Sequence, residues 1–212
     1  NLVVRTPSGH PMADLDQPLR FSAMAPLQVY NTLQIAAVRE RLCRTDILII
    51  GGGAIDAGLE AEIRQLPGEV YSTYGMTETL SHIALRRLNG PDASTLYYPF
   101  PSVRLSLSPE HTLIIDAPLV CDTILVTNDV AEINSDGSFS ILGRKDNTIN
   151  TGGSKVQAEQ VEDILRPWIH VPFAITSVSD AALGEAVVLL IEDGGYTERL
   201  EEKMKELLTK YQ

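Results

Sequence analysis

Residues 46–73, DILIIGGGAIDAGLEAEIRQLPGEVYST, decide the fold. Asp46–Ile50 is an apolar run closed by three glycines, the pattern of a central strand covered on both faces. Asp56 is placed to cap a helix whose Leu59, Ile63 and Leu66 line one side, and Pro67-Gly68 ends it. Val70–Thr73 then reads as a second strand. Strand, helix, strand is a crossover unit, so the two strands are expected to be parallel and to end on one edge of a sheet.

Upstream, Leu2–Val4 reads as a short strand ended by the Pro7, Ser8, Gly9, Pro11 cluster. Leu27, Tyr30, Leu33, Ile35, Val38 and Leu42 recur at mostly helical spacing and predict one helix over Pro26–Leu42. Asn89-Gly90-Pro91 breaks the chain, and from Tyr97 to Leu142 short apolar runs alternate with turn residues, as in a small antiparallel barrel or sandwich. Past Arg144 come a Gly152-Gly153 turn, a helix near Ala158–Leu165, strands near Phe173–Val178 and Ala186–Ile191, and a helix near Glu198–Tyr211. The expected organisation is α/β: part of a layered α/β domain (1–90), a β-barrel-like subdomain (91–144) and a small α+β domain (145–212) that is incomplete at its end.

Composition narrows the function. The 212 residues are 44% hydrophobic and 21% charged, enough for a packed core, and the net charge of −11 disfavours a nucleic-acid partner. Cys43 and Cys121 stand alone, without zinc-ligand spacing or a disulfide framework, which fits a reducing cytoplasm. No apolar run approaches the roughly 20 residues of a membrane helix, so membrane insertion is not expected. The start at Asn1 instead of Met suits a fragment or a processed chain.

Three places could carry chemistry. Gly51-Gly52-Gly53 and Tyr74-Gly75-Met76-Thr77-Glu78 follow the two parallel strands, and ligands of open α/β sheets bind outside that edge. Glycine backbone can lie against a planar ring or phosphate, the Thr77 hydroxyl can meet a phosphate oxygen, and Glu78 can hold magnesium. A triglycine is equally often only a tight turn. Asp136-Gly137 predicts a two-residue hairpin turn; counting outward from it sets Asp129 opposite Arg144, either to grip ribose hydroxyls or as an ordinary cross-strand ion pair. The polar segment Arg144–Lys155, RKDNTINTGGSK, suits a pivot at Asp146, with Lys155 either on a phosphate of a second substrate or solvated.

Together IIGGGAI, YSTYGMTET, TNDVAEI and DGSFSILGRKDNTINTGGSKVQAEQVE, in this order, resemble the adenylate-forming superfamily of acyl-CoA synthetases, luciferases and peptide-synthetase adenylation domains. Within it, YSTYGMTETLSHIALRRLNG is most similar to the o-succinylbenzoate-CoA ligases of menaquinone biosynthesis. The resemblance implies that Gly51, Gly52, Gly53 and Tyr74 flank adenine, with Gly75 also in the nucleotide site. It implies Thr77 on phosphate, Glu78 on Mg2+, Asp129 and Arg144 on ribose, and Asp146 as a hinge. Gly152, Gly153 and Lys155 would face coenzyme A. A second carboxylate on the acid needs a partner, for which Ser81, His82 and Arg86 are candidates; a helix start with a packed histidine is the plainer reading.

Two positions depart from the pattern. Asn150 follows Ile149 where many members have lysine, and Asn128 replaces the glycine before the ribose-binding aspartate. A Ser/Thr/Gly-rich triphosphate loop and a late Gly-Lys motif are missing, and Lys210 lacks that context. The chain is therefore expected to be the carboxyl part of a large domain plus most of a small one, unable to adenylate efficiently alone. The implied reaction is ATP-dependent activation of a small carboxylic acid as an acyl-adenylate, then transfer to coenzyme A. An adenylation enzyme serving a carrier protein, or a non-catalytic nucleotide-binding module, are the rivals. Oligomeric state is not readable.

Overall fold

The computed structural model describes residues 2–4, 6–192 and 198–208. Two compact units emerge: one gathers the chain up to Arg104 with Asp116–Ile124 and Asn134–Ser140, the other Leu105–Ile115, Leu125–Ile133 and the chain from Ile141 onward.

The first unit is built on a five-stranded sheet in chain order. Its strand β1 (Leu19–Met24) leads through helices α1 (Pro26–Leu33) and α2 (Ala36–Leu42) to β2 (Thr45–Ile50), and α3 (Ala57–Ile63) leads to β3 (Glu69–Gly75). β1, β2 and β3 are parallel, as the crossover reading requires; β4 (His82–Arg87) and β5 (Tyr98–Pro99) follow antiparallel. Val29, Leu33, Val38, Leu42, Leu48, Ile50, Leu59, Ile63 and Val70 form the buried core. Asp56 caps α3 as expected, its carboxylate accepting from the N–H groups of Gly58 and Leu59.

Four sequence expectations need correction in this unit. Leu2–Val4 is not a strand; Leu2 and Val4 are exposed and have no sheet neighbour among the described residues. The single helix over Pro26–Leu42 is two helices, with Ile35 extended between them. The buried pairs Val29/Leu33 and Val38/Leu42 each have helical spacing, but the five-residue step from 33 to 38 would turn the second pair off the first pair's face. β2 is not covered on both faces: Leu48 and Ile50 are buried, Ile47 and Ile49 only half so, with Phe21 56% exposed beside Ile47. The segment after Ser81 is a strand, not a helix start, because it pairs along β3 from His82 to Arg87. The break expected at Asn89-Gly90-Pro91 is present, since β4 ends at Arg87, and Asn89 is itself buried: its amide accepts from Val70 N–H and donates to the carbonyls of Leu66 and Gly68.

A further sheet is made of β6 (Arg104–Leu107), β7 (Thr112–Asp116), β8 (Leu125–Ile133) and β9 (Phe139–Arg144), open among the described residues. The hairpin turn after β8 is one residue longer than the two-residue expectation. Asn134 N–H bonds Ser138 C=O at 2.8 Å, Gly137 N–H bonds Asn134 C=O at 3.0 Å, and Gly137 has φ +85°. Asp136 fixes this turn by accepting from the N–H and hydroxyl of Ser138.

Beyond it, β10 (Thr148–Thr151) and β11 (Ser154–Gln157) form a hairpin whose two-residue turn, Gly152-Gly153, takes φ +56° and +86°. Then come α4 (Ala158–Leu165), β12 (Phe173–Asp180), β13 (Gly184–Ile191) and α5 (Glu198–Leu207), with sheet order β11-β10-β13-β12. Ile149, Val156, Val161, Leu165, Ile169, Ile175 and Leu200 form their core. The expected helix end at Tyr211, and Lys210, lie outside the described residues.

Candidate functional site

Because β1, β2 and β3 are parallel and in register, the loops after Met24, Ile50 and Gly75 leave from one sheet edge. Gly51 N–H extends the pairing by donating to Met24 C=O at 3.1 Å, and Gly52 then takes φ +86°, a conformation that favours glycine. A Cβ on Gly51 would collide with the Thr73 hydroxyl, so the triglycine bend is dictated by close approach as well as by turning.

Gly75 is constrained in the same way: a Cβ there would meet the carbonyl of Ser81 and Cα of His82. Thr77 and Glu78 are exposed on a single 3-10 turn, Thr77–Thr79. Buried Thr79 anchors that turn, its hydroxyl accepting from Met76 N–H at 3.1 Å and donating to Ser81 C=O at 2.7 Å. The Tyr74 ring is half-buried, edge-on to Phe139 at 5.3 Å and tilted to Tyr97 at 5.9 Å.

Of the three acyl-partner candidates, Ser81 and His82 stand together, Ser81 Oγ lying 3.0 Å from His82 Nδ1 and the imidazole 5.5 Å from Phe100. Arg86 is engaged elsewhere. Its guanidinium bonds Glu60 at 2.9 Å and lies 5.7 Å over the Tyr97 ring.

In the second unit, Arg144 Nη1 reaches Asp129 Oδ1 at 3.2 Å, and its Nη2 reaches Asp146 Oδ2 at 3.3 Å. The longer turn breaks the one-to-one count that set these two residues opposite each other, so their contact comes from the reach of the arginine side chain and not from that register. Asp129 is shielded (16% exposed) while Arg144 is open to solvent at 54%. Asn128 donates to Asp146 at 3.3 Å, and Lys145 bonds Glu110 at 2.6 Å. The Lys145 ammonium, with a smaller pull from Lys155, lowers the Glu110 pKa.

Two residues absent from the sequence reading gather on this segment. Glu159 accepts from Arg144 N–H, from Asn147 and from Gln157, and Gln157 donates to Arg144 C=O. Burial of the Glu159 carboxyl would raise its pKa, but the hydrogen bonds from Asn147, Gln157 and backbone N–H groups outweigh it, so the pKa falls. Their only sequence signal is acidic and amide side chains at the start of α4. Lys155 is exposed on β11, paired with Asn150 of β10, beside the Gly152-Gly153 turn.

The described residues contain no cluster of three or more His, Cys, Asp or Glu able to hold a metal. A lone exposed Glu78 therefore fits magnesium only as an ion that keeps its waters and arrives with substrate phosphates. Among the described residues, no helix is long and apolar enough to cross a membrane.

No family model matches the chain. It is 25% identical over 182 residues to 2-succinylbenzoate–CoA ligase of Lactococcus lactis, covering 78% of this chain and 40% of that one. The fold matches an acyl-CoA synthetase (AMP-forming)/AMP-acid ligase II-like protein from Dyadobacter fermentans with TM-score 0.65 and 33% identity, over 97% of this chain and 60% of that one. It also matches Escherichia coli MenE bound to an analogue of OSB-AMS, with TM-score 0.70 and 22% identity, over 88% of this chain and 44% of that one. The chain thus spans about half the length of the proteins it resembles.

Proposed function

We propose that this chain carries the ribose-binding and hinge parts of an ATP-dependent ligase that activates a carboxylic acid and transfers it to coenzyme A, a reading supported by its likeness to a CoA ligase and to an AMP-forming acyl-CoA synthetase-like protein. The observation that carries the reading is the Asp129–Arg144 pair: a shielded carboxylate 3.2 Å from an exposed guanidinium, acceptor and donor set side by side. As a surface ion pair it contributes only about 0.2–1 kcal/mol. As a clasp for a vicinal diol it supplies both hydrogen-bonding senses.

In the first step a carboxylate oxygen attacks the α-phosphorus of ATP, the bond to the bridging oxygen breaks, and pyrophosphate leaves with that electron pair. Asp129 and Arg144 hold the ribose and thereby fix the α-phosphate relative to the acid. Gly51–Gly53, Tyr74 and Gly75 accommodate the base, and the Thr77 hydroxyl bonds a phosphate oxygen. Glu78 would hold Mg2+, which when bound neutralises phosphate charge. In the second step the thiolate of coenzyme A attacks the acyl carbonyl and AMP leaves with the C–O electron pair. Gly152, Gly153 and Lys155 receive coenzyme A after the part beyond residue 144 pivots at Asp146.

The acid is an aromatic dicarboxylate of the o-succinylbenzoate type, and the reaction a step of menaquinone biosynthesis in the cytoplasm. Supporting this are the SHIALR segment and the Lactococcus relative's name. Ser81 and His82 meet its second carboxylate, and Arg86 joins them by exchanging Glu60 for substrate. The test is pyrophosphate exchange into ATP by the complete protein that carries this chain, screened with o-succinylbenzoate, 4-chlorobenzoate and a long-chain fatty acid. Exchange only with the dicarboxylate, followed by its coenzyme A thioester, is the expected result. Exchange with the fatty acid alone contradicts the substrate, and no acid-dependent exchange contradicts the reaction.

A further inference from the structure

Both backbone polar groups of Arg144 are held by the start of one helix. Its N–H donates to Glu159 Oε1 at 3.3 Å, and its C=O accepts from Gln157 Nε2 at 2.7 Å. Gln157, only 9% exposed, is itself fixed: Nε2 also donates to Glu159 Oε2 at 2.7 Å, and Oε1 accepts from the Thr148 hydroxyl at 2.9 Å. Both side-chain ends lie directly against strand β9, since a Cβ on Gly143 would fall 2.5 Å from both Gln157 Nε2 and Glu159 Oε2.

The local chemistry departs from what the helix alone favours. Gln157 occupies the N-cap position of α4 yet makes no side-chain capping bond. Its amide spans to Arg144 and Thr148, leaving the helix without a benefit that a good cap supplies. Such a departure from local preference is expected where a side chain serves a site. An exposed arginine with four side-chain torsions sweeps a wide volume, and fixing its backbone on both sides narrows where the guanidinium can reach.

We infer that Glu159 and Gln157 are positioning residues that aim Arg144 at the sugar hydroxyls of a bound adenosine nucleotide. The inference rests on the ribose-binding reading of Arg144 and adds to it residues that never touch the ligand. Removing Glu159 then weakens nucleotide binding only as long as Arg144 is present to be aimed.

The experiment is calorimetric titration of the 212-residue chain with AMP, for wild type, Glu159→Ala, Arg144→Ala and the double variant. Far-UV circular dichroism confirms folding, and Glu159→Gln replaces Glu159→Ala if the latter unfolds. The expected loss in the Glu159 variant is about tenfold, comparable to one hydrogen bond to a charged group, with no further loss when it is added to Arg144→Ala. Glu162→Gln is the control for a structural role on the same helix, because Glu162 accepts from Ile175 N–H at 2.8 Å, and it should bind AMP as wild type does. Unchanged affinity in both Glu159 variants, or losses that simply add in the double variant, overturns the inference alone. A wild-type chain that does not bind AMP overturns the ribose reading and the inference with it.

Discussion

Glu60 of α3 holds Arg86 of β4 at 2.9 Å with both side chains nearly closed to solvent, 14% and 13% exposed. The carboxylate is shared with Arg64, and Arg86 keeps a buried Nε without a partner. A guanidinium bound in this way ties helix to sheet, and it reaches a substrate only by giving up that tie.

Removing the carboxylate should therefore cost stability. Glu60→Ala leaves a mostly buried cation with one attachment fewer, and the expected loss is about 2–3 kcal/mol in urea or thermal melts. Arg86→Met keeps the apolar stem without burying an unpaired cation and should be milder. Melts unchanged in Glu60→Ala would show that the pair does not hold α3 to the sheet.

Gly143 makes a second prediction. It combines φ +146° with the absence of space beside Gln157 and Glu159, so Gly143→Ala must displace those side chains and strain the backbone. A loss of about 1–3 kcal/mol is expected. An equally stable Ala variant would contradict the crowding at this point.

The third concerns pH. The Glu159 pKa lies below its ordinary 4.5, so its ionised form is stabilised by folding. That contribution is fully present above the unfolded-state value and is lost as pH falls through the folded one. The melting-temperature gap between wild type and Glu159→Gln should be widest near neutral pH and shrink in acid. A gap that grows below pH 4.5 would reverse the sign of the argument.

Much of the first unit was legible because its signals are local. DILII, the triglycine and EVYST carry strand, turn and strand in a few residues each, and Asp56 marks the helix between them. β1 was not legible: in LRFSAM only Met24 is buried, so no alternation announces it. β4 was missed for another reason, since its arginines bond Glu60, Glu69 and Tyr71, distant partners that no spacing rule reveals. The candidate site divides similarly. Glycines and the Asp129, Arg144 pair could be named from motif order, whereas Gln157 and Glu159 matter through contacts that exist only once α4 has folded beside β9. The hairpin count also depended on a turn length that Gly137 and Asp136 together changed.

The most direct measurement of the central claim compares AMP with its 2′,3′-dideoxy analogue as ligands of this chain. If Asp129 and Arg144 clasp the sugar, losing the hydroxyls weakens binding about tenfold or more, as one or two hydrogen bonds to charged groups require. In Asp129→Ala that preference should collapse. Equal affinity for the two nucleotides in the wild-type chain would contradict the clasp.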